Sequence, residues 1–203
     1  MPGLIAHLIY HPCVQAEFAV ELGTDDETLE FPWASPEGPR YYDVKRQPEL
    51  LLEIEEAHAN PELGEFLRAI NSTISIFETA KCDAWPSTEI SPEEEIFGAS
   101  HKFSPYVDLV FTAETSRGSF PEHEQRAKQL TALLQRVPEI PSAAEFLIRR
   151  CYFHGDGATQ DGFYITAYVF GYGDDAEQAR QRWVIGLKLV ENAIRQLSAR
   201  SRE

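Results

Sequence analysis

Glu145-Phe146-Leu147-Ile148-Arg149-Arg150-Cys151-Tyr152-Phe153-His154 and, beyond Gly155-Asp156-Gly157, Phe163-Tyr164-Ile165-Thr166-Ala167-Tyr168-Val169-Phe170-Gly171-Tyr172 are the stretch that decides the fold. Both runs are rich in aromatic and β-branched residues and flank a cluster of turn formers, so they read as a β-hairpin with a longer loop. Side chains alternate along a strand, which puts Tyr164, Thr166, Tyr168, Phe170 and Tyr172 on one face. Leu147, Arg149, Cys151 and Phe153 are expected on the same side. Asp174 and Glu177 then predict the cap of a final helix. Its apolar positions Trp183, Leu187, Val190, Ile194 and Leu197 are spaced 4, 3, 4 and 3.

Working toward the N-terminus, Ser119 and Glu122 form a capping-box pattern with Pro121 in the first turn, which predicts a helix over 120–137. Strands are expected over 103–114 and 73–85. Helical spacing holds from 48 to 70, through Leu51, Ile54 and His58, and a second helix restarts at Asn60-Pro61 with Leu63, Phe66, Leu67 and Ile70 on one face. Val14, Ala16, Phe18, Val20 and Leu22 alternate as in a half-buried strand, and the apolar 4–10 segment predicts a strand before it. The connections 23–47 and 86–100 are acidic, contain prolines and show no periodicity. The elements therefore read as ββα three times over. They predict an α+β fold, an antiparallel or mixed sheet with helices packed on one face. One domain over 1–203 is expected, with a weak subdivision into an acidic 1–72 and a ββαββα part over 73–203. Cys13, Cys82 and Cys151 are each 69 residues apart, as are Leu8, Phe77 and Phe146. This spacing is either the trace of a repeat or coincidence, since Cys13 starts a strand while the other two lie late in theirs.

The chain has 203 residues with 18 Lys plus Arg against 33 Asp plus Glu, a formal net charge of −15. Residues 1–100 hold 5 basic and 20 acidic residues, whereas 101–203 hold 13 of each, so the excess belongs wholly to the first half. Such acidity argues against nucleic acids and anionic membranes, which would repel the chain. No apolar run is long enough to span a bilayer, and the start lacks the basic region of a signal peptide. Three widely spaced cysteines without a CxxC pair suit buried thiols, so a cytoplasmic location is expected.

No phosphate-binding glycine loop, zinc-finger spacing, HExxH helix or GxSxG elbow occurs, so no cofactor and no catalytic residue is assigned. His7 and His11 would sit about 13 Å apart on a strand, too far to share a metal. Two residue sets stand out. Trp33, Tyr41 and Tyr42, together with Asp25, Asp26 and Glu27, place aromatic anchors in an acidic surround, a composition that suits an interface. Glu78 interrupts the apolar stripe Ile74, Ile76, Ala80, Cys82 and Ala84, and Asp108 sits near it on the next strand. Such carboxylates can raise each other's pKa. Arg149 stacked on Tyr168, beside Tyr164, would complete a ligand-binding face. The leading expectation is a non-enzymatic module docking a basic or polar protein partner through its acidic aromatic loops. The alternatives are a small-molecule-binding protein or enzyme with a cleft at Glu78, Asp108 and the 164–172 face, and a structural homo-oligomer, such as a homodimer joined through the last helix.

Overall fold

The computed structural model describes residues 14–24, 26–33, 40–91, 94, 98–155 and 157–201. The expected 4–10 strand, His7, His11, Cys13 and Asp25 lie outside them. The strands are β1 (Gln15–Glu21), β2 (Thr28–Phe31), β3 (Phe77–Ser87), β4 (His101–Phe111), β5 (Ser142–Gly155) and β6 (Ala158–Gly173). The helices are α1 (Glu55–Ala59), α2 (Pro61–Ile70), α3 (Glu114–Arg117), α4 (Phe120–Leu134) and α5 (Ala176–Arg200), with a 3-10 turn over Pro48–Glu53. The six strands form one mixed sheet in the order β1-β5-β6-β4-β3, with β2 also pairing β5.

The α+β class is as expected, and along the described residues two strands followed by helices recur three times, with β1 and β2 in place of the expected 4–10 and 14–22 pair. β1 and β2 do not pair with each other. They run one after the other, both parallel to β5, with Gln15–Glu21 against Ala143–Arg149 and Thr28–Phe31 against Arg150–Phe153. Of the residues with the 69-residue spacing, Leu8 and Cys13 lie outside the described residues, and Phe77 and Phe146 both join the main core. Cys82 packs toward the helices, whereas Cys151 faces the opposite side of the sheet.

β5 and β6 read as near-continuous apolar runs because both of their faces are covered. Phe146, Ile148, Ile165, Ala167 and Val169 join α2, α4 and α5 in the main core. The apolar stripe of α5 is spent here, with Trp183, Leu187, Val190, Ile194 and Leu197 all at most 3% exposed, and Ile185 is its one large exposed hydrophobic residue. No helix among the described residues is long and apolar enough to cross a membrane. The helix begins one residue later than the Asp174 expectation, because Asp175 Oδ1 accepts the Gln178 N–H at 2.8 Å.

The opposite face of the sheet is concave, and its two edges approach each other. The Trp33 indole N–H donates to the Ala80 carbonyl (2.9 Å), the Tyr41 hydroxyl to Glu78 (3.2 Å), and Lys81 lies 3.7 Å from Glu27. Between these edges lies a second core of Leu29, Phe31, Val110, Cys151, Phe153 and Tyr164. The same contacts blunt the free edge of β3, a device that discourages strand addition. Lys45 donates to the Phe77 carbonyl, Asn71 accepts the Thr79 N–H, and Trp33 takes the Ala80 carbonyl.

Candidate functional site

The cross-strand register builds the concave face. Asp108 faces Thr166, Tyr106 faces Tyr168, Arg149 faces Tyr164 and Glu78 faces Val110, so the five ligand-face candidates do share one side of the sheet. They do not form one pocket. Glu78, 5% exposed, is held by Arg117 Nη2 (2.8 Å) and the Tyr41 hydroxyl. Arg117 lies over the Phe31 and Phe153 rings and also donates to the Phe111 carbonyl, closing one end of the second core. Asp108, 1% exposed, accepts the Thr166 hydroxyl at 2.7 Å. Thr166 in turn accepts from Arg149, which is tied to Glu21 at 2.8 Å and Glu27 at 3.5 Å.

Burial dominates the electrostatics of both carboxyls. It pushes Asp108 up to about 7, against the favourable pull of the Thr166 hydroxyl, and it raises Glu78 despite Arg117. Desolvation, rather than a shared proton, therefore shifts them. Tyr164 is fully buried, its hydroxyl has no partner of good hydrogen-bond geometry, and burial raises its pKa. Tyr168 lies further along, under Arg149 at 6.0 Å, in a shallow cavity of about 380 Å³ that Trp85, Phe170 and Glu145 also line.

A larger opening lies at the β3 edge. A cavity of about 890 Å³ runs between residues 28–33 and 40–42 on one side and, on the other, the bulged stretch 79–83 of β3 and the start of α1. Its lining carries Glu30, Glu53, Glu55, Glu56 and Asp83 against Arg40 and Lys81, with Trp33, Tyr42 and Tyr106 as aromatic walls. Of the interface candidates, Trp33 and Tyr42 line it. Tyr41 instead packs edge-on against Phe31 at 4.7 Å. Asp26 accepts the Gly23 N–H, and Glu27 pairs with Lys81 and Arg149, so both brace the loop. Cys82 also lines the cavity. Burial first, then Glu56, Asp108 and Asp83, push its thiol up to about 12, which makes it a poor nucleophile. Among the described residues no three His, Cys, Asp or Glu side chains gather as a metal ion requires.

Glu53, Glu55, Glu56, Lys81 and Tyr106 were not singled out from sequence. The run Glu53-Ile54-Glu55-Glu56 was the available signal, since three carboxylates within four residues mark a strongly negative surface. Comparison of the chain with family models, curated proteins and solved structures finds no match.

Proposed function

We propose that the chain is a non-enzymatic binding protein that takes up a basic segment of a partner protein in the 890 Å³ groove. The observation that carries this reading is that, among the described residues, five carboxylates line the groove against two bases, set around Trp33, Tyr42 and Tyr106. Its volume falls within the range of ligand pockets. Aromatic faces and carboxylates together favour ammonium and guanidinium groups over anions. Commitment of Glu78 and Asp108 to internal partners also favours binding over acid–base chemistry. Free thiols at Cys82 and Cys151 suit a reducing compartment such as the cytoplasm.

Calorimetric titration with an oligo-arginine peptide tests the reading. Binding is expected to weaken as salt rises, and to weaken roughly tenfold in Glu55→Gln/Glu56→Gln, because each carboxylate in a partly enclosed site contributes about 0.5–1 kcal/mol to a bound cation. Affinity indifferent to both changes overturns it.

A further inference from the structure

The bulge in β3 sets Ala80 and Lys81 together opposite the single residue Asp108 on β4, since the register passes from Thr79 paired with Leu109 to Cys82 paired with Val107. An extra residue of this kind re-aims a side chain. Here the Lys81 ammonium stands 5.5 Å from the Trp33 ring centroid and 3.7 Å from Glu27. Trp33 is itself pinned beside the bulge by its bond to the Ala80 carbonyl. Trp is the strongest aromatic partner for a cation, so the best cation-accepting face of the groove is already occupied by a lysine of the same chain.

We propose that Lys81 is a resident cation that the ligand's cation displaces from Trp33, which makes Lys81 the residue that sets how tightly the groove binds. Lys81 can play this part only if the ligand is cationic, as proposed above. The displaced ammonium keeps a partner in Glu27, whose carboxylate lies 3.7 Å from it and is itself half exposed. The Lys81 side chain is 30% exposed, which leaves it open space on the solvent side. Competition of this kind selects for ligands whose cation outbids a lysine over Trp33, and guanidinium does so through its planar stacking.

The test titrates an oligo-arginine peptide into the wild-type chain, Lys81→Met and Lys81→Arg, and follows the Lys81 ε-methylene resonance of the wild type by NMR. Lys81→Met is expected to bind roughly three- to tenfold tighter than wild type, and Lys81→Arg more weakly than wild type, because a resident guanidinium holds Trp33 better than an ammonium. The ε-methylene resonance should start upfield, under the Trp33 ring current, and lose that shift at saturation. Equal binding by wild type and Lys81→Met, or a Lys81 resonance that stays put while peptide binds, overturns the role of Lys81 and leaves the groove intact. If no variant binds the peptide, the cationic-ligand reading fails and the role of Lys81 falls with it.

Discussion

At Asp108 a carboxyl that is 1% exposed has a pKa near 7, against an ordinary value of 3.8. The folded state therefore keeps this proton in a range where the unfolded chain has released it. Its contribution to stability is full below about pH 4 and is lost progressively as pH rises to about 7, by roughly 4 kcal/mol at 1.36 kcal/mol per unit. Asp108→Asn removes that loss while keeping an acceptor for Thr166. It should raise the Tm at pH 8, with the gain vanishing near pH 4, in thermal unfolding at both values. A lower Tm at pH 8 would contradict the assignment. Much at this scale was legible, since the alternation of 164–172 placed the tyrosine row and Thr166 on the face where Asp108 sits. The location of the β3 bulge was not. A bulge is a mismatch between two strands, and the sequence of one strand does not specify its partner's register.

Helix α5 lies so close on the sheet that Gly171 of β6 has no room for a side chain. A Cβ there would fall 2.2 Å from the Ala179 carbonyl oxygen and from the Trp183 nitrogen, both backbone atoms that cannot turn aside. Gly171→Ala should cost about 2–3 kcal/mol or more by forcing the helix off the strand. Urea unfolding reads this as a lower midpoint, and an unchanged midpoint would refute the packing. The long elements were readable because their periodicity is sustained, as in α5 and β6. β2 was not, because only Leu29 and Phe31 of its four residues enter the second core, too few to establish a period. It forms because β5 offers a free parallel edge, a long-range condition absent from the local sequence. For the same reason, a stretch read as structureless loop carries Trp33 and Tyr41 into packed positions.

At the scale of the whole molecule, the charge excess of residues 1–100 becomes a place. Among the described residues, the carboxylates lining the groove all come from that half: Glu30, Glu53, Glu55, Glu56 and Asp83. The curl of the sheet gathers them by bringing Glu27 on one edge to Lys81 on the other, a closure that composition does not reveal. The central claim is that this groove, and not diffuse surface acidity, receives a cation. Chemical-shift mapping of the isotopically labelled chain during titration with an oligo-arginine peptide tests that directly. The account predicts saturable shifts confined to the Trp33 indole N–H, to 53–56 and to 79–83. Shifts scattered over acidic positions elsewhere, such as Glu122, Glu124 and Asp161, or no shifts at all, would contradict it.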